Sequence, residues 1–126
     1  MSLPKYRITI SAQPRYLPEQ SDPTEPRYAF AYHITIRNEG TLSAKLISRH
    51  WFITDAHGNT EEVEGEGVIG EQPLLAPGES FEYTSGCPLA TPFGSMRGSY
   101  HFVAEDSMQF DAEIPEFFLV GPRTLH

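Results

Sequence analysis

Tyr28-Ala29-Phe30-Ala31-Tyr32-His33-Ile34-Thr35-Ile36-Arg37 is the stretch that decides the fold class of this 126-residue chain. Tyr28, Phe30, Tyr32, Ile34 and Ile36 fall on one face, and Ala29, Ala31, His33, Thr35 and Arg37 on the other. A period of two in aromatic and β-branched residues makes a strand with one face in a core. The small residues of the second face leave room for something to pack there as well. Asn38-Glu39-Gly40 ends the run, with Gly40 free to take positive φ.

The same pattern recurs on both sides. Upstream, residues 6–13 alternate with Tyr6, Ile8, Ile10 and Ala12 on one parity. Residues 14–26 then carry four prolines, each lacking a ladder donor, and read as an edge segment and loop. Downstream, residues 45–54 form a second long strand. Ile47, Trp51 and Ile53 lie on one parity and Leu46, His50 and Phe52 on the other, which implies a strand covered on both faces or strongly twisted. Asp55-Ala56-His57-Gly58-Asn59 is a hairpin turn, after which residues 60–66 return as a strand. Leu74-Leu75-Ala76 is a short apolar piece, and Pro77-Gly78 suits the centre of a type II turn. Phe81 and Tyr83 mark another strand, and residues 85–99, rich in glycine and proline, read as a long connection. Residues 100–103 resume a strand, Glu105-Asp106-Ser107 turns it, Met108, Phe110, Ala112 and Ile114 alternate, and residues 117–120 close the core before a polar tail.

Seven or more short strands with almost no helical periodicity predict an all-β domain, an antiparallel sandwich with Trp51 as an immunoglobulin-like plug between its sheets. Strand count and alternation leave a closed barrel open as an alternative. The length corresponds to one domain over residues 1–126. Cys87 is the only cysteine, no charged and then apolar leader opens the chain, and no apolar run reaches bilayer length. A cytoplasmic location without membrane insertion is the expectation. The formal net charge of −8 argues against nucleic acid as a partner, since such binding needs a basic surface.

Gly65-Glu66-Gly67-Val68-Ile69-Gly70 is a literal G-x-G-x-x-G. A dinucleotide fingerprint needs a buried apolar strand before it, a helix after it and an acidic residue roughly 20 positions on. Glu61-Glu62-Val63-Glu64 precedes it, Glu71-Gln72-Pro73 follows, and the acidic position falls near Cys87-Pro88. The favoured reading of Gly65, Gly67 and Gly70 is a bend or bulge; the alternative is a helix-free backbone cradle for an anion. Glu62, Glu64 and Glu66 share one strand face at about 6.6 Å spacing, so two neighbours could converge on a divalent cation given further ligands from elsewhere, but the favoured reading is a solvated acidic face. His33, His50, His57, His101 and His126 show no zinc spacing. Cys87, placed in the 85–99 connection, and Ser80, Ser85 and Ser95 lack the surroundings of a nucleophile. No catalytic pair emerges, and the chain reads as a non-enzyme without a cofactor.

Arg27-Tyr28-Ala29-Phe30-Ala31-Tyr32, Arg49-His50-Trp51-Phe52-Ile53-Thr54-Asp55, the glycine motif through Gln72-Pro73, Tyr83-Thr84-Ser85-Gly86 and Thr91-Pro92-Phe93-Gly94-Ser95-Met96-Arg97-Gly98-Ser99-Tyr100 stand in an order and spacing that resembles the bacterial ApaG family over nearly the whole chain. The resemblance implies a fibronectin type III-like sandwich. It also implies a cytoplasmic protein associated with cobalt resistance and magnesium efflux, without an established biochemical activity. The same domain is fused into eukaryotic F-box proteins and a DNA-polymerase-interacting protein, where protein binding is the natural inference. The family's glycines map onto Gly65, Gly67 and Gly70. The expectation is therefore an interaction module for an unidentified protein partner, docking through a sheet face, the edge after the prolines or the 85–99 segment. The alternative is a protein that binds pyrophosphate, a nucleotide or a divalent cation.

Overall fold

The computed structural model describes residues 3–122; His126 and the end of the polar tail lie outside them. Eight strands follow in order: β1 (Ile8–Tyr16), β2 (Tyr28–Asn38), β3 (Ala44–Asp55), β4 (Thr60–Glu66), β5 (Leu74–Leu75), β6 (Ser80–Leu89), β7 (Phe93–Ala104) and β8 (Gln109–Val120). A single turn of 3-10 helix, Pro18–Gln20, follows β1. All pairings between these strands are antiparallel. One sheet has the order β1-β2-β6; the other runs β4-β3-β7-β8, with β5 paired to the start of β3. The two pack as a sandwich rather than a closed barrel. No helix among the described residues is long and apolar enough to cross a membrane.

The alternating apolar letters become the core. Phe30, Ile34 and Ile36 of β2 are almost fully buried and meet Leu46, Tyr100, Phe102, Ile114 and Leu119 from the opposite sheet. Trp51 is the plug between the sheets: its ring stands edge-on to Tyr32, Phe117 and Tyr100 at centroid distances of 5.5, 5.9 and 6.2 Å. Edge-to-face packing adds to the area such rings bury.

Three expectations change. The double parity of the third run comes from a β-bulge: Leu46 pairs with Phe102 and Ser48 with His101, so Ile47 is extra and the inward parity switches from Ala44 and Leu46 to Trp51. Residues 85–99 are no long connection. β6 continues through Gly86 and Pro88 to Leu89, β7 begins at Phe93, and Cys87 is a buried core residue opposite Phe30. Its prolines misled because Pro88, like Pro14 in β1 and Pro115 in β8, sits on a strand at a sheet edge, where a missing N–H costs no ladder bond. Gly40 does not take positive φ; an added Cβ would lie 2.4 Å from the Lys5 carbonyl oxygen, so close approach is what requires glycine there.

Candidate functional site

The glycine motif begins on the last two residues of β4 and continues into the crossover to β5; the two strands pair with successive parts of the same edge of β3. The chain leaves the ladder after Glu66, makes a short excursion and rejoins it at Leu74, with no helix in between. The excursion answers the bulge: Gly67 N–H and the Gln72 side-chain amide both donate to the carbonyl of Ile47, the residue without a partner in β7. Val68 drops into the core, fully buried. Val68 and Glu71 exchange both backbone hydrogen bonds, and Ile69 (φ 42°) and Gly70 (φ 79°) form the tight turn between them. Gly67, at φ 60°, has the Glu71 carbonyl oxygen 2.2 Å from where a Cβ would be. The N–H groups of Gly67, Val68 and Glu71 are thus engaged inside the protein.

The carbonyls of this loop face Arg49. Its Nη1 donates to Glu66 O at 2.9 Å and Gly67 O at 3.0 Å. The guanidinium lies over Gly65, where any Cβ would come within 3 Å of it. Beside it, between the sheets, Tyr83 and Tyr100 share a buried hydroxyl–hydroxyl hydrogen bond of 2.5 Å. Burial pushes both phenols well above their ordinary value, and the Arg49 charge offsets a small part of that rise. Burial likewise raises the Cys87 thiol to about 11, which keeps it protonated and inert at neutral pH.

On the outer face of the larger sheet, register builds cross-strand rows. Glu64, His50, Ser99 and Glu113 form one; Glu66, Ser48, His101 and Asp111 form the next. His50 Nε2 lies 2.5 Å from Glu62 and 3.3 Å from Glu64, and the donor atoms of the three residues all fall within 4.8 Å of one another. Glu66 stands outside this cluster. His101 meets Asp111 through Nδ1 at 2.7 Å and Gln109 through Nε2 at 3.0 Å, and the hydrogen bond to Asp111 raises its pKa. An open groove of about 470 Å³ runs between the two histidines. Farther along the same face the character changes. Phe93 and Phe118 are 55% and 62% exposed, Val120 opposite Phe93 is 54% exposed, and with Pro92 and Pro122 they line an apolar hollow.

Residues 18–104 match the family profile described as the ApaG domain. The chain belongs to the ApaG family. Protein ApaG of Thiobacillus denitrificans is 64% identical over 122 residues, covering 97% of this chain and 96% of that one. Protein ApaG of Bordetella pertussis is 59% identical over 121 residues, covering 96% and 92%. A crystal structure of the ApaA protein from Bordetella pertussis superposes with a TM-score of 0.93 at 56% identity, covering 98% of this chain and all of that one. A sandwich shared at this identity makes the ApaG resemblance an identification.

In this ApaG domain the predicted site residues separate. Gly65 and Gly67 attend to Arg49 and the bulge, Gly70 makes a turn, and Glu62 and Glu64 join a histidine that the sequence had left alone. That histidine was within reach. Pairing about the 55–59 turn puts Thr54 opposite Thr60 and hence His50 opposite Glu64. Arg49 also had a signal, as a charge on the parity of Trp51.

Proposed function

We propose that this ApaG-family chain is a non-enzymatic interaction module that docks a protein partner on the outer face of its larger sheet. The supporting observation is the exposed apolar group of Phe93, Phe118 and Val120. Water-exposed aromatics clustered on one face, rimmed by polar residues, are a feature of docking surfaces. Addition of a strand to an edge fits less well, since β1, β6 and β8 carry proline and β4 carries Glu61, Glu62, Glu64 and Glu66, both of which blunt edges. The partner contributes an apolar anchor to the hollow. Capture from cell extract with the wild-type chain and with a Phe93→Ser, Phe118→Ser variant tests it. A reproducible partner held by the first and lost by the second is expected; a partner set common to both overturns the reading. Because both side chains are already exposed, the variant should unfold like the wild type.

A second reading rests on the His50, Glu62 and Glu64 donor set. One imidazole and two carboxylates suit Co²⁺, Mn²⁺ or Zn²⁺ better than Mg²⁺, which favours oxygen ligands and retained water. Cobalt resistance and magnesium efflux are the physiology such a site would serve. Calorimetric titration with Co²⁺ and Mg²⁺ should give a Co²⁺ heat that Glu62→Gln with Glu64→Gln removes. Equal heats in the two proteins would reject it. The pyrophosphate reading of Gly65, Gly67 and Gly70 has no comparable observation in its favour.

A further inference from the structure

We propose that the cleft between the two sheets, on the side where β4 and β6 face each other, binds a small organic carboxylate with an aromatic or branched apolar body, and that Arg49 is its anion clamp. The sandwich is closed along its other side, where β1 lies against β8. Here it stays open. A cleft of about 300 Å³ runs inward, walled by Trp51, Val63 and Met96, with Tyr32 and Ser85 beside them and Arg49 at one end. That volume is at the lower limit of small-molecule sites, which are mainly apolar with a few placed polar groups.

Among the described arginines and lysines, Arg49 is the one withdrawn from the surface, and no carboxylate answers it. The chain has 17 acidic side chains against 9 basic ones. Arg7 and Arg37 reach Glu39, Arg27 reaches Glu25, and Arg97 lies 4.5 Å above the Phe52 ring. Arg49 is half-buried, yet among the described residues no carboxylate comes within ion-pair distance of it. A guanidinium withdrawn from water is normally paired, and its planar fork matches a carboxylate bidentately. Both of its hydrogen bonds to described residues leave from Nη1, toward the Glu66 and Gly67 carbonyls. The glycine crossover therefore holds the fork by one nitrogen and leaves the donors on Nε and Nη2 for a ligand. Gly65 admits the guanidinium because it has no Cβ.

The rest of the cleft narrows the ligand class. Val63 and Ile53, both half-buried, offer apolar surface to the ligand's body; Trp51 and Tyr32, 3% and 6% exposed, form the floor beneath it, and Ser85 lies on the β6 side of the cleft. Glu61 lines the far end, opposite Ile53, four residues along β3 from Arg49 and hence about 13 Å away at ~3.3 Å per residue. A negative group at that end disfavours a dianion spanning the cleft and sets the orientation, with the ligand's carboxylate at Arg49.

Trp51 is the only tryptophan, so its fluorescence reads the cleft directly. Titration of the wild-type chain with phenylacetate should give a saturable change with a dissociation constant of millimolar order or tighter. Phenylacetamide, the uncharged analogue, should bind at least tenfold more weakly, and inorganic phosphate should leave the signal unchanged. Arg49→Met should cost at least tenfold for the acid and nothing for the amide, with Arg49→Lys between. Equal affinity for acid and amide, an unchanged constant in Arg49→Met, or no saturation with phenylacetate overturns the proposal, and displacement of phenylacetate by phosphate overturns the carboxylate assignment. The acid–amide comparison uses the wild-type chain and stands even if Arg49→Met fails to fold. The Phe93→Ser, Phe118→Ser variant should bind phenylacetate as the wild type does, which separates this site from the docking face.

Discussion

The two faces of the β4-β3-β7-β8 sheet are built from the same strands yet obey different rules. Toward the other sheet, each position is set by volume: Trp51, Met96, Tyr100 and Leu119 fill space, and a change of one residue in register would expel them. Toward solvent, positions are set by who stands opposite: His50 between Glu62 and Glu64, His101 between Asp111 and Gln109, Arg97 over Phe52. Packing is unforgiving, while cross-strand pairing in water is worth tenths of a kcal/mol. Perturbing the inner face should therefore cost several-fold more stability than perturbing the outer one.

The largest contrast comes from Trp51→Ala. Removing a 3%-exposed indole wedged among Tyr32, Tyr100 and Phe117 should lower the unfolding free energy by about 3–5 kcal/mol in urea titration. A loss below about 1 kcal/mol would mean that the sheets close over the gap and that the plug has no special standing. Gly67→Ala sits at the edge between the faces and should cost about 2–3 kcal/mol, because a left-handed backbone and a 2.2 Å approach to the Glu71 carbonyl add their penalties. Gly70→Ala should cost less, since its φ is strained for alanine but no atom lies within 4 Å of a new Cβ. If the two alanine variants were equal, the crossover would be adjustable and its hold on Arg49 loose.

A finer test of the inner face uses the buried Tyr83–Tyr100 hydroxyl pair. Tyr100→Phe leaves the Tyr83 hydroxyl without its partner in the core, for a loss of about 1–2 kcal/mol. Tyr83→Phe in addition should recover part of that loss, because the orphaned group goes too. A double variant that loses the sum of the two single effects would show that the hydroxyls act independently.

The same distinction explains what the sequence made legible. Alternation over Tyr28, Phe30, Tyr32, Ile34 and Ile36 gives the core face of β2 directly, because burial imposes a period of two. It misplaces the parity around Ile47 and splits β8 near Pro115, because a bulge inserts one residue with no change in composition to announce it. Glycine and proline suggested a loop at residues 85–99, where proline stands on an edge strand instead. Of the candidate site, Glu62 and Glu64 were visible as letters. Their meeting with His50, and the meeting of Arg49 with the glycine carbonyls, depend on register across strands, which a linear pattern carries only through the turn that sets it.

The smallest effect belongs to the outer face and has a direction as well as a size. The His101 pKa is raised chiefly by its hydrogen bond to Asp111, so the folded state binds the proton more tightly than the unfolded chain does. Its stabilising contribution is fully present below the unfolded value of about 6.5 and disappears as pH rises through the folded value. Both ring nitrogens have partners within 3.0 Å, and the imidazolium can donate to both while its charge faces the Asp111 carboxylate. His101→Gln should therefore match the wild type at pH 8.5 and fall behind it at pH 5.5. The gap should be a few tenths of a kcal/mol, since the pair is partly exposed and screened. A gap of the same size at both pH values would show that His101 contributes through packing, and the outer face would then follow the rule of the inner one.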